Sequence, residues 1–302
     1  MIVRYVPKAK AGLPYAEGGT MTRHDGYHIH SFTSNGTFTM PYSAICDVLV
    51  VGGGGGGGAL GIPTDQSNLY VGAGGGAGGF VYLTNIVLSA GTHTVTVGAG
   101  GAVGANGNPS AIDADAAFTG GIVAFGGGYG AAGGPAVSGN GNKGGDGASG
   151  GGSTSGWQTP VAGGSAIYGY AGNAGHDGSK GETRFSAGGG GGAGGSPTKK
   201  VKRDSWGGTI LDIDDTSADG PAYGGDGLAC DITGVSTFYA GGGAAYNSWG
   251  VGTIPGGKGG GGNGNQAGTD GLGGGGGGGK AGGSGVVIIR FLSSSPTVIT
   301  FR

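Results

Sequence analysis

Two runs of seven consecutive glycines, 52–58 and 273–279, limit what this chain can fold into more than any other feature. A helix through either run is excluded, because each interior glycine costs roughly 1 kcal/mol of helix stability relative to Ala. A collagen triple helix needs glycine at every third position, and the runs break that register. Glycine supplies 87 of the 302 residues, so something other than side chains must order the backbone. Leu, Ile, Val and Phe together number 54 of 302, short of the roughly 20% below which disorder is the ordinary reading. Disorder of that kind also calls for high net charge, whereas 15 basic and 17 acidic residues leave only −2. The expected structure is folded, non-helical and dependent on glycine.

The same charge balance argues against nucleic acid as a partner, because phosphate binding needs a concentrated cationic surface. Cys46 and Cys230 are too few for a disulfide scaffold. The N-terminal MIVRYVPKAKAG lacks the apolar core of a secretory signal, and no stretch of about 20 apolar residues occurs, so neither secretion by signal peptide nor a membrane span is expected.

Glycine and large apolar residues occupy different parts of the chain. Residues 1–51 hold 5 glycines and 286–302 hold none, which concentrates the other 82 in between. The apolar islands read as strands, being short, rich in Val, Ile, Thr and aromatics, and bounded by turn formers. They are 27–33, 36–40, 46–51, 80–88, 93–98, 121–126 and 286–292, with a weaker one at 297–301. Ser34-Asn35-Gly36 offers hairpin chemistry between the first pair, and Ala90-Gly91 separates 80–88 from 93–98. DVLVV and VVIIRF are unbroken apolar runs, which predicts strands covered on both faces. Strands from both chain ends must share one sheet, and a β-sandwich or jelly roll satisfies this.

The glycine segments gain little from side chains. Ordering each residue costs about 1–2 kcal/mol of backbone entropy, against about 0.5–1.5 kcal/mol net for a hydrogen bond. Such segments order only where most backbone groups find partners. Extended helices with three residues per turn, packed side by side without Cβ atoms between them, meet that condition. The expectation is thus an all-β chain with negligible α-helix: a β-sandwich or jelly-roll module carrying an inserted polyglycine-II helix bundle. Its divisions are an N-terminal arm, 1–20, and a glycine-rich domain, 21–302. The β-module draws on 21–51, 80–126 and 284–302, and the bundle with its tip loops on 52–79 and 127–283. Gly55, Gly190 and Gly276 sit within the bundle segments as structural glycines.

The order of motifs resembles the glycine-rich domain of bacteriophage tail proteins. His30-Ser31-Phe32-Thr33-Ser34-Asn35-Gly36-Thr37-Phe38, the Asp47–Gly58 strand running into glycine, Thr94–Gly101, and Gly283–Phe291 carry that resemblance, over roughly 27–291. A more distant similarity is to the glycine-rich extracellular domain of anaplastic lymphoma kinase-type receptors, a TNF-like jelly roll with a polyglycine-II insertion. The resemblance implies a virion protein of the tail tip or tail fibre, assembled in the host cytoplasm. It implies other virion proteins and a host-surface receptor, protein or glycan, as partners, and a homo-oligomer with a trimer as first expectation. A decoration or adaptor touching only virion proteins is the alternative. An ice-binding protein is a further one, disfavoured by the irregular charged insertions between glycine runs.

Those insertions are expected at loop tips, where binding residues on a rigid scaffold usually sit. Their aromatic and basic residues give the receptor-binding candidates Trp157, Tyr168, Tyr170, Lys200, Arg203, Trp206, Tyr246 and Trp249. The basic KKVKR stretch ahead of Trp206 could meet acidic glycans, though such runs are more often simply solvated. His28 and His30 share one strand face and could hold a metal with His24 or Asp25, but strand packing explains them better. Asp212 and Asp214 lie in the densest carboxylate group, without the EF-hand spacing. No metal or cofactor is expected. GxGxxG matches arise by chance in so much glycine, Lys258 and Lys280 are not followed by Ser or Thr as a phosphate loop requires, and no catalytic constellation assembles.

Overall fold

A computed structural model of the chain describes residues 15–61, 70–113, 120–133, 142–154, 161–169, 187–197, 200–203, 209–213, 223–247 and 253–292, with backbone alone for 200–203, 209–213 and 247. Its strands are β1 (Thr20–His24), β2 (Tyr27–Phe32), β3 (Gly36–Met40), β4 (Ala44–Val51), β5 (Val71–Gly72), β6 (Phe80–Leu88), β7 (Gly91–Thr96) and β8 (Ser110–Ile112). They continue with β9 (Ile122–Ala124), β10 (Lys200–Arg203), β11 (Thr209–Ile213), β12 (Leu228–Cys230), β13 (Thr237–Tyr239), β14 (Tyr246–Asn247) and β15 (Val286–Leu292). No α-helix occurs among the described residues, and the fold is all-β.

Two antiparallel sheets face each other, one in the order β1-β2-β15-β4-β6 and the other β3-β7-β8-β9. Side-chain alternation aims Phe32, Cys46, Val48, Val50, Val287, Ile289 and Phe291 from the first sheet at Phe38, Met40, Val95, Ile112 and Ile122 from the second, forming a buried apolar core. The last strand lies in the middle of the first sheet, between β2 and β4. On the sheet's other face Leu49, Val51, Val286 and Ile288 are buried against Ala77, Cys230, Ile232 and Tyr239. Both unbroken apolar runs are therefore covered on two sides, as their sequence requires.

The link expected to close a hairpin at Ser34-Asn35-Gly36 does something else. β2 and β3 belong to different sheets, and the turn crosses the sandwich edge. Phe32 and Phe38 explain why: they meet edge-to-face across the core, ring centroids 6.2 Å apart, which requires their strands to stand on opposite sides of it. Asn35 Oδ1 accepts the Val97 N–H at 2.8 Å and fixes the crossing. Ala90-Gly91 likewise connects β6 to β7 across sheets, with Gly91 at φ 141°. The candidate strand at 297–301 lies outside the described residues.

One charged pair sits within this apolar frame. Asp47 and Arg290 are register partners on β4 and β15, with Arg290 Nη2 donating to Asp47 Oδ2 at 2.8 Å and Nε donating at 3.2 Å. Arg290 also donates to the Asp231 carbonyl, and its guanidinium lies 5.0 Å from the Tyr27 ring centroid. Asp47 Oδ1 accepts the N–H of Asn85, which adopts φ 56° where the β4–β6 ladder shifts register. The carboxylate thus fills a gap the bulge leaves in the ladder.

Most of the glycine backbone belongs to neither helix nor pleated sheet, and its hydrogen bonds repeat every third residue. Gly52, Gly55 and Gly58 donate to the carbonyls of Gly79, Gly76 and Ala73. Gly53 and Gly56 donate to Asn108 and Ala105, and Gly54 and Gly57 to Gly283 and Lys280. One seven-residue run therefore binds three neighbours at N···O distances of 2.7–2.9 Å, each neighbour contacted at steps of three and running antiparallel to it. Residues 73–79 repeat the cycle: Ala73, Gly76 and Gly79 bond to Ala131, Gly128 and Phe125, Gly74 and Ala77 to Gly188 and Gly191, and Gly75 and Gly78 to Gly276 and Gly273. A pleated strand would instead bond to one neighbour at every second residue. Close approach is what demands glycine here. A Cβ on Gly55 would overlap the Gly128 carbonyl, and one on Gly190 the Gly75 carbonyl.

Candidate functional site

The glycine segments cross-linked every third residue form a hydrogen-bonded lattice, which meets the sandwich at β9. Its alternation buries Ile122 and Ala124 and turns Val123 outward, and Phe125 follows on the same side. The Phe125 carbonyl accepts the Gly79 N–H, so the ring leaves from backbone fixed by the lattice. Beside it the segment 161–169 is laced to Gly147 and Ala148. Ile167 donates to the Gly147 carbonyl, and Tyr168 and Gly169 both donate to the Ala148 carbonyl. Ala148 in turn donates to Gly126, which places Tyr168 against Phe125. Their rings lie nearly parallel, with centroids 5.8 Å apart and planes 15° from each other.

This pair is open to solvent. Tyr168 is 65% exposed, Ile167 62%, Phe125 43% and Val123 38%. Contiguous exposed apolar surface with a polar rim marks an interaction site more often than chance exposure does. The rim is Asp146 and its partners. Its carboxylate accepts the Ser165 N–H at 2.6 Å and the Lys143 ammonium at 3.1 Å. These two bonds, the backbone one first, hold the carboxyl below its usual range. Asn106 donates to the Asp146 carbonyl and accepts the Tyr129 N–H, tying the turn to a third segment. A preformed platform of this kind can offer large contact area at small entropic cost.

Of the receptor-binding candidates, Tyr168 alone has a described, open side chain. Tyr246 is half-buried in β14, paired with Gly72, and its Cβ lies over Gly278. Lys200 and Arg203 lie on β10, which pairs with β11 in a hairpin that also carries Asp212. Trp157, Tyr170, Trp206, Trp249 and Asp214 lie outside the described residues. Phe125, Ile167 and Val123 were not legible as site residues. Phe125 ends an apolar island that reads as a strand, and only its parity with Val123, opposite to Ile122 and Ala124, marks it as outward-facing.

The two histidines considered for metal face the sandwich core. His30 donates Nδ1–H to the Gly18 carbonyl at 2.7 Å, stacks on Phe291 and meets Phe38 edge-on. His28 packs edge-on against Phe291. Burial lowers the pKa of both. His24 pairs with Asp25 at 3.5 Å on the surface. Among the described residues no three His, Cys, Asp or Glu side chains converge on a common point.

Residues 33–292 match the sequence profile of a family described as a glycine-rich domain, and the chain belongs to that family. No curated protein matches it.

Proposed function

We propose that this glycine-rich domain is an adhesive structural component of a bacteriophage virion, at the tail tip or tail fibre, and that it acts by binding rather than catalysis. The motif order that resembles phage tail proteins supports the virion assignment. The observation that carries the adhesive reading is the parallel, solvent-open pair Phe125 and Tyr168 on hydrogen-bonded backbone. In this reading the lattice is a polyglycine-II bundle, a stiff mount whose period-three hydrogen bonds keep the platform's shape before a partner arrives. Preorganisation of that kind removes part of the entropic cost of association. The partners are other virion proteins and a host-surface protein or glycan, and the assembled protein is a homo-oligomer.

Replacing Phe125 and Tyr168 together by Ala tests this. Tyr168→Ala alone changes an exposed side chain and is expected to alter stability by no more than about 1 kcal/mol. Phage carrying the double change should adsorb to host cells markedly less, with the fold retained by circular dichroism. Unchanged adsorption with an intact fold would favour an adaptor that touches only virion proteins.

A further inference from the structure

The chemistry left open around Phe125 and Tyr168 narrows what the platform takes. Tyr168 stays mostly exposed although its ring stacks on Phe125, so one ring face is open. The backbone around it is closed. Gly147 donates to the Ser165 carbonyl, Ala148 to Gly126, Ile167 to Gly147, and Tyr168 and Gly169 to Ala148. The Ser165 N–H goes to the Asp146 carboxylate. A peptide that adds as a strand needs a row of open N–H and C=O groups, and these N–H groups are spent. What remains is ring and aliphatic surface edged by polar side chains.

Area and charge select among ligands. Val123, Phe125, Ile167 and Tyr168 together offer on the order of 400 Å² of exposed side chain. A stable protein interface needs roughly 800 Å² per partner, so the platform by itself suits a small ligand. The rim sets the chemistry. Lys143 and Asp146 pair at 3.1 Å with side chains 52% and 57% exposed. Their charges cancel, so the rim draws neither anion nor cation from a distance. Both keep hydrogen-bonding capacity. Asp146 Oδ1 accepts from Ser165 and Lys143, which leaves Oδ2, 3.5 Å from the ammonium, the less engaged oxygen, while the ammonium keeps further donors. Hydroxyl groups, each donor and acceptor at once, use such a pair together. A carboxylate or phosphate would meet Asp146, and an amine would meet Lys143. A C–H face for the open ring with neutral hydroxyls at its edge describes a saccharide without charged groups.

We propose that the platform binds a neutral saccharide, with its C–H face on the Tyr168 ring beside Phe125 and its hydroxyls on Asp146 and Lys143. This ligand class deepens the adhesive reading and rests on it for its role. The test presents the full chain to an array of immobilised oligosaccharides, each neutral glycan paired with a uronate- or phosphate-bearing counterpart. Neutral members should retain the protein, and their acidic counterparts should retain it less. Tyr168→Ala should lower retention about tenfold or more while melting like the parent. Phe238→Ala removes a comparably open ring on β13 and should leave retention unchanged. Asp146→Asn keeps an acceptor for the Ser165 N–H, uncovers the Lys143 charge, and should shift retention towards the acidic counterparts. The proposal is overturned if no neutral member retains the parent, if the parent prefers acidic members, if Tyr168→Ala is retained equally, or if Asp146→Asn keeps the parent's preference. Phage adsorption separates this from the reading it deepens. Adsorption lost on replacing Phe125 and Tyr168, with no neutral glycan retaining the parent, would keep the adhesive reading with a host protein as partner and overturn the saccharide. Retention lost in Tyr168→Ala with adsorption unchanged would uphold the saccharide and overturn adhesion to the host.

Discussion

His30 shows what a single side chain reports about this fold. Its imidazole is buried among Phe38 and Phe291, and burial holds its pKa below the ordinary 6.5 despite the hydrogen bond to the Gly18 carbonyl. The unfolded chain therefore binds a proton more readily than the folded one as pH falls below about 6.5. Stability contributed by neutral His30 is complete above that value and is lost on the way down towards the folded pKa. Neighbouring His28, lowered by burial and then by Arg23 and His30, acts in the same direction. The melting temperature should fall between pH 7 and pH 5, and His30→Phe should flatten that fall without abolishing it. A melting temperature that holds or rises over this range would contradict a buried neutral imidazole. In the sequence His30 already favoured strand packing over metal binding. The ion pair of Asp47 and Arg290 was not legible, because 243 residues separate the partners and only register brings them together.

At the scale of elements, apolar periodicity located seven of the nine strands in the two facing sheets, missing β1 and β8, and it located their partners poorly. β15 spans the expected 286–292, and β2, β3 and β6 fall within a residue of expectation. Sheet membership depends on which side of a shared core each strand occupies, and local turn chemistry does not encode it. Hence Ser34-Asn35-Gly36 reads as a hairpin and acts as a crossing. The short β8, Ser110–Ile112, has too few residues to show a period, and it pairs with β7 and β9 only because Ile112 reaches the core. The glycine segments follow the opposite logic: their partners are set by close approach. The Gly55 N–H donates to Gly76, its carbonyl accepts from Gly276, and a Cβ would overlap Gly128. Gly55→Val should destabilise the protein by on the order of several kcal/mol, combining steric exclusion with broken hydrogen bonds. Denaturant melts of the purified variant measure this. A variant as stable as its parent would mean that 52–58 is a loose loop.

For the molecule as a whole, sandwich and lattice are one cooperative structure on this account. The run 52–58 continues β4 directly, and 273–279 leads through Gly283 and Gly285 into β15, so the two central strands extend into the lattice. Composition made such a division of materials visible, since glycine and large apolar residues occupy separate stretches. The aromatic platform was only partly visible, because it needs three distant segments, near 125, 147 and 168, joined by backbone hydrogen bonds. Assembly belongs to the same scale. The proposed homo-oligomer, a trimer as first expectation, should sediment well above the 28.4 kDa of one chain, and a stable monomer at micromolar concentration would remove that element of the proposal.

Glycine backbone with almost no side chains is here ordered by hydrogen bonds every third residue, and it should unfold together with the sandwich. Native-state amide hydrogen exchange at Gly54, Gly55, Gly56, Gly275 and Gly276 tests it most directly, since each of these N–H groups donates to a neighbouring segment. These amides should exchange only through global unfolding, with the same opening free energy as Val48 and Ile289 in the sandwich core. Exchange at the rate of an unstructured glycine peptide, while Val48 and Ile289 stay protected, would contradict it.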